Sequence, residues 1–239
     1  RPFYLGTQEV TNAQFHRFDP KHRSGEFGDT TLEEPEYPVV SIRWLDAVRY
    51  CNWLSDQEGL PRVYTLEGDE VTGFDPDATG YRLPTEAEWA FAARMDEGGP
   101  PRRFPWGDSR SPEANRQGNY ADDTVRHLLA RTIPGYRDGH LATAPVGTFK
   151  ANGFGLFDLG GNVAEWVNDF YGATEDVLGA EGRDPLGPGR GRYHVIRGSS
   201  WMHGQLVDLR LAFRDYGEDG RQDLGFRVAR WFEPQEATP

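Results

Sequence analysis

Cysteine is almost missing from this sequence: of 239 residues one is cysteine, Cys51. An intrachain disulfide and a cysteine-built metal cage are therefore both excluded. Cys51 lies in Val48-Arg49-Tyr50-Cys51-Asn52-Trp53-Leu54, where Val48, Cys51 and Leu54 recur at helical spacing. That spacing predicts a small buried apolar group rather than a redox centre. No apolar run is long enough to span a bilayer, so membrane insertion is not expected, and no basic-plus-apolar leader is seen. Positive charge is also scarce, with 26 Lys and Arg against 38 Asp and Glu and a formal net charge of −12. Such a chain gains nothing from counterion release on nucleic acid or from attraction to an anionic membrane surface, and neither is an expected partner. Its acidity serves either solubility or the binding of cations.

What the chain has instead is turns and rings. With 29 Gly, 17 Pro, 7 Trp, 10 Tyr and 14 Phe, it reads as a compact, loop-rich protein with little regular secondary structure. Its length suits one domain over residues 1–239, and no linker or internal repeat divides it. Phe3 to Val10 reads as a strand, and Thr11 as the N-cap of a short helix through Phe18. Trp44 to Ser55 reads as a helix with one buried face, stopped by Gly59 and Pro61. The acidic run 68–80 reads as an exposed hairpin tip or loop. Thr85 and Glu88 form a capping box for a helix over Pro84 to Arg94. From Gly98 to about Pro145 the chain is irregular, as expected of a connection that is either functional or pinned by something other than packing, such as a bound metal. Short strands are predicted around Val146–Phe149, Tyr193–Arg197, Leu209–Arg214 and Phe226–Trp231.

The most informative segment is Asn152-Gly153-Phe154-Gly155-Leu156-Phe157-Asp158-Leu159-Gly160-Gly161-Asn162-Val163-Ala164-Glu165-Trp166. Asp158 and Glu165 supply carboxylates, Asn162 an amide oxygen, and the glycines let main-chain carbonyls turn inward, which is the oxygen-rich composition calcium takes. A plain turn with an N-capping acid fits the same composition equally well. Taken with Tyr81-Arg82-Leu83-Pro84-Thr85-Glu86-Ala87-Glu88-Trp89-Ala90, Arg197-Gly198-Ser199-Ser200-Trp201 and Gly225-Phe226-Arg227-Val228, the segment resembles the formylglycine-generating enzyme, or sulfatase-modifying-factor, family. The likeness covers nearly the whole chain in the right order. It implies an α+β, C-type-lectin-like fold. The chain opens at Arg1 in the middle of the family's first motif, so a preceding strand, and a place within a larger protein, are expected.

The resemblance implies one or two calcium ions. By position, the first set is Asp158, Gly161, Val163 and Glu165, and the second Asn119, Tyr120, Asp138 and His140, the last through its backbone oxygen. It also implies what this chain cannot do. Formylglycine-generating members hold copper with two thiolates on the loop after the Arg-Gly-Gly-Ser motif, soft ligands suited to Cu(I). Here Trp201-Met202-His203-Gly204-Gln205-Leu206-Val207-Asp208-Leu209-Arg210 holds no cysteine, so neither that activity nor a transition metal is expected. Met202 and His203 stand where one thiolate would fall. The family's pocket corresponds to Ser200, Trp201, Met202, His203, Asp208, Arg210 and Arg214, where arginine beside tryptophan suits carboxylates, peptides or aromatic groups. Arg197 and Arg227 are expected to pair with buried acids such as Asp169 or Glu88.

Three functions follow from the resemblance. The first is a calcium-stabilised module that binds a peptide, protein or small molecule. The second is a repurposed family oxidoreductase, such as a siderophore-chromophore maturation enzyme. The third is a retroelement-diversified binding protein, against which Met202, Leu206 and Val207 count.

Overall fold

The computed structural model describes residues 1–95, 99–112, 117–172 and 184–232. Among these described residues three α-helices and ten short strands are arranged among long irregular connections, the α+β, loop-rich class expected. Among the described residues no helix is long and apolar enough to cross a membrane.

The helices begin where the sequence signals them. Thr11 caps α1 (Asn12–His16), its side chain accepting from the Gln14 N–H while Gln14 reaches back to the Thr11 N–H. The helix ends at His16, one turn's remnant short of Phe18. Helix α2 (Trp44–Gln57) buries Ala47, Val48, Tyr50, Cys51 and Ser55 on one face. Gly59, at φ +67, turns the chain so that the Leu60 N–H reaches the Ser55 carbonyl at 2.9 Å, a left-handed stop that glycine adopts freely. Helix α3 (Glu86–Arg94) starts with the Thr85–Glu88 capping box. Glu88 does more than cap: its two oxygens accept from Arg82 Nη1 and Nη2, both at 2.7 Å, and that fully buried guanidinium lies 3.9 Å over the Trp231 ring.

The main sheet has the order β8-β7-β6-β9, with β6 (Ala164–Phe170) antiparallel to β7 (His194–Arg197) and parallel to β9 (Leu224–Phe226). β8 (Arg214–Gly217) flanks β7. Strand β6 is the organising element, and it is not among the strands expected from the sequence. Its first four residues are all buried because it is covered on both sides: Ala164 and Trp166 pack with the α2 face, Val167 with Trp89 of α3. A strand buried on both faces loses the polar–apolar alternation that would reveal it. Two-stranded ribbons complete the fold: β1 (Phe3–Leu5) with β10 (Ala229–Trp231), β2 (Glu26–Phe27) with β3 (Thr30–Thr31), and β4 (Tyr64–Glu67) with β5 (Glu70–Phe74). The turn of the last ribbon, at Gly68-Asp69, is the exposed acidic hairpin tip expected of residues 68–80.

Several strand expectations change. Phe3–Val10 shortens to β1, Val146–Phe149 is a turn, and Leu209–Arg214 is a turn leading into β8. Phe226–Trp231 breaks at Arg227-Val228, because Arg227 is drawn inward and leaves the ladder. The connection from residue 99 to 145 contains one 3-10 turn, Asp123–Val125, among the described residues. Polar side chains pin it: Tyr136 Oη accepts from the Gln117 and Gly118 N–H groups at 2.8 and 3.0 Å and donates to the Gly118 carbonyl.

The arginine pairings also differ from expectation. Arg197 lies 3.5 Å from Glu86 and donates to the carbonyls of Leu211 and Phe213 at 3.0 and 2.8 Å, fixing the loop before β8. Burial lowers its pKa to about 10. Asp169 instead accepts from the Glu86 N–H at 2.7 Å, at the start of α3.

Two measurements follow. Cys51 is wholly buried and burial raises its thiol pKa, so a thiol reagent is expected to find no group in the native chain and one after denaturation. Burial pushes the Asp169 carboxyl up to about 7. A folded pKa above the unfolded one means that this group's stabilising contribution is full below about pH 4 and is lost as pH rises through the folded value. Asp169→Asn retains an acceptor for the Glu86 N–H, so urea unfolding at pH 8 and pH 5 should show the variant gaining stability relative to wild type at the higher pH.

Candidate functional site

The residues picked out by the sequence fall into two neighbouring clusters of oxygen atoms and one loop. The first cluster is built by the turn before β6. Asp158 and Asn162 both take φ +58, a left-handed conformation that is uncommon away from glycine. Between them Gly161, at φ +109, passes so close to residue 119 that a Cβ there would meet the Asn119 carbonyl oxygen at 2.9 Å. The turn is thereby held against the long connection.

Glu165 points from β6 into the core and is saturated by nitrogen. Its Oε1 accepts from Arg227 Nη2 at 2.6 Å, and its Oε2 from Arg227 Nε at 2.8 Å and Trp89 Nε1 at 2.9 Å. The remaining Arg227 donor contacts are the Gly6 and Phe157 carbonyls at 3.0 and 2.9 Å. Beside this pair lies a carboxyl that the sequence reading did not single out, Glu9. It sits two residues before Thr11, where it passed as a polar residue of a strand; an acid next to Val10 was the available signal. Glu9 Oε1 accepts from Asn162 Nδ2 at 3.2 Å, and its buried Oε2 meets no donor. Asp158 Oδ2 accepts from the Gly147 N–H at 2.8 Å. Burial, then the Asp158 charge, raises the Glu9 pKa well above the usual carboxylate range, and burial pushes Asp158 up to about 6. Three carboxyl groups thus share one guanidinium.

Asn162 links this cluster to the second, its Oδ1 accepting from Asn119 Nδ2 at 3.1 Å. Asn119 Nδ2 also donates to the Ala142 carbonyl at 2.7 Å, while its buried Oδ1 has no hydrogen-bond donor. Asp138 accepts from the Tyr120 N–H at 3.0 Å and the His140 N–H at 2.9 Å, and donates its own N–H to the buried Asp122 at 2.8 Å. Tyr120 Oη donates to the Gly160 carbonyl at 2.8 Å, tying the clusters a second time. Val163 is buried with Trp201 in a small apolar cluster.

Among the described residues no three His, Cys, Asp or Glu side chains converge as a metal cage. A cation here would have to draw on amide and main-chain oxygens as well, the hard ligands that calcium takes. The donor-less oxygens of Glu9 and Asn119 are atoms that such an ion would satisfy.

The loop after β7 brings some of the pocket residues together and separates others. Ser200 is fully buried; its hydroxyl donates to Asp223 Oδ2 at 2.7 Å and lies 3.1 Å from His203 Nδ1. The same His203 nitrogen accepts the Ser200 N–H at 2.9 Å, so the imidazole carries its proton on Nε2, and burial lowers its pKa. The hydroxyl sits between acid and imidazole; in a nucleophilic triad the imidazole sits in the middle, so this is no triad. Trp201 is core, its ring centroid 4.6 Å from that of Phe27, and Met202 packs beside it. Asp208 accepts from Gln205 Nε2 at 3.3 Å, and Arg210 Nε donates to the Val207 carbonyl at 3.2 Å. Arg214 turns to α3: it bonds Glu86 at 2.7 Å and stands 4.6 Å over the Tyr171 ring. Leu206 and Val207 are left exposed at the loop's tip. Cys51, the one thiol of the chain, lies on α2 in another part of the core.

A family model described as the sulfatase-modifying factor enzyme 1-like domain matches residues 1–232. The formylglycine-generating enzyme of Streptomyces coelicolor is 34% identical over 199 residues, covering 82% of this chain and 53% of that enzyme, so the chain spans about half the length of this relative. Among solved structures, Treponema denticola variable protein 1 superposes with a TM-score of 0.68 at 25% identity, over 95% of this chain and 84% of that one. PvdO from Pseudomonas aeruginosa superposes with a TM-score of 0.66 at 24% identity, over 96% and 80% of the two chains, a likeness of fold. The agreement of motif, fold and alignment along nearly the whole chain makes it a member of the sulfatase-modifying-factor family, to which the formylglycine-generating enzymes belong.

Proposed function

We propose that this chain is a calcium-stabilised member of its family that binds a peptide, protein or small-molecule ligand over the loop 201–210 and does not oxidise cysteine. The observation that carries the reading is the state of that loop. His203 and the preceding Ser200 are spent on each other and on Asp223, Asp208 accepts from Gln205 and Arg210 donates to the Val207 carbonyl, the sequence supplies no thiol there, and Leu206 and Val207 face outward. Such a loop offers a surface rather than a reacting atom.

Calcium enters this proposal as a structural ion. Asp158, with Glu9, would hold it at the turn before β6, and Asn119 Oδ1 would hold it in the long connection, each with main-chain oxygens from the Gly161–Val163 and Tyr120–His140 segments. The positive charge it supplies neutralises carboxyl groups that burial leaves uncompensated. Glu165 contributes chiefly by pairing Arg227, so Asp158 is the residue that tests the site. Glu165→Ala leaves a buried guanidinium unpaired and should cost about 3–5 kcal/mol in calcium and in EGTA alike. Asp158→Asn leaves that pair intact and should remove most of the difference in Tm between the two buffers. An EGTA response in Asp158→Asn equal to that of wild type would overturn the assignment.

The catalytic half of the reading has its own test. A cysteine-containing synthetic peptide incubated with the chain, Cu(I) and oxygen should yield no aldehyde by mass spectrometry. Formylglycine in the peptide would restore an oxidase function.

A further inference from the structure

A recess lies outside the oxygen clusters and the 201–210 loop. It occupies about 250 Å³ between the β4–β5 hairpin, the first turn of α2, the end of β6 and residues 186–189. Its walls are rings. The Trp44 indole stacks on the His194 imidazole at 3.6 Å and 8°, and Phe170 lies against the other partner of that stack, 4.3 Å from His194. Tyr64 meets Trp44 edge-on at 6.1 Å, and Phe74 lies 5.5 Å from Tyr64. The opposite wall is main chain: Gly187, at φ +71, is held where a Cβ would meet Asp169 Oδ1 at 2.8 Å, whereas a Cβ on Gly189 would meet nothing within 4 Å.

The polar character of the recess is narrow. Among the described residues lining it there is no Asp, Glu, Lys or Arg, and burial pushes the His194 pKa down to about 4, so the lining is uncharged at neutral pH. Asn168 supplies the one oriented amide. Its Oδ1 accepts from Tyr64 Oη at 2.9 Å, which fixes the flip of the carboxamide, and its Nδ2 has no acceptor among the described residues and is not sealed from solvent. The volume falls below the roughly 300–1,000 Å³ of pockets for drug-sized ligands, so it suits one ring and a substituent. Aromatic walls favour ring partners in stacked or edge-on contact. A cation would meet no carboxylate there, and an acceptor would find the Asn168 amide donor waiting.

We propose that this recess is a binding site for a neutral, planar aromatic group bearing a carbonyl acceptor, bound by ring contacts and by Asn168 Nδ2. Benzamide carries both features and is the probe. Saturation-transfer NMR and calorimetry on the whole chain should show saturable binding. Asn168→Asp keeps an acceptor for Tyr64 Oη but sets an oxygen against the carbonyl, and should weaken binding about tenfold, the effect of losing one hydrogen bond. Val71→Trp, on the half-buried face of the hairpin, should fill the recess and abolish binding even if Asn168→Asp fails to fold; a melting curve of each variant establishes which are folded. Absence of saturable binding to wild type, binding that survives Val71→Trp, or tighter binding of tetramethylammonium than of benzamide would each overturn the proposal.

Discussion

The structure depends on one buried ion pair, Glu165 with Arg227. Both side chains are almost wholly removed from solvent, and together they use the Trp89 indole and the Gly6 and Phe157 carbonyls. The pair thereby joins the central strand, the break between β9 and β10, helix α3, the exit from β1 and the turn before β6. Charges so deeply buried stabilise only when each is paired and its remaining hydrogen-bonding capacity is filled. Arg227 meets that condition, and its inward course is why the last stretch of the chain forms two short strands instead of one.

The same pair leaves an imbalance beside it. Glu9 and Asp158 are buried within reach of its field, yet the one guanidinium is already committed to Glu165. Burial therefore raises both acids, and one oxygen of Glu9 is left without a donor. A hard divalent cation, as proposed, would resolve this arrangement more completely than a proton, because it would satisfy several oxygens at once and tie together loops that have little regular structure of their own. Among the described residues between 99 and 145 secondary structure is scarce and buried polar hydrogen bonds are many, so polar anchors stand in for strands.

Local signals were the most legible part of the sequence. Thr11, Thr85 and Gly59 act where their chemistry placed them, because capping and left-handed turns depend on neighbours within a few residues. The hairpin tip at Gly68-Asp69 was readable for the same reason. Strand β6 was not, since burial on both faces erased its period. Glu9 was missed because its importance comes from Asp158 and Glu165, about 150 residues away in the chain. The pairing of Arg197 and Arg227 was foreseen in kind and not in partner, as long-range ion pairs leave no trace in spacing. That the chain carries a single cysteine, by contrast, is written in composition alone.

The central claim is that calcium, not a transition metal, completes the buried oxygen clusters. Elemental analysis by inductively coupled plasma mass spectrometry of the chain purified without added metal or chelator tests it most directly. The account predicts one or two equivalents of calcium and no stoichiometric copper or iron. A stoichiometric transition metal, or a folded chain without calcium that takes up none when it is supplied, would contradict it.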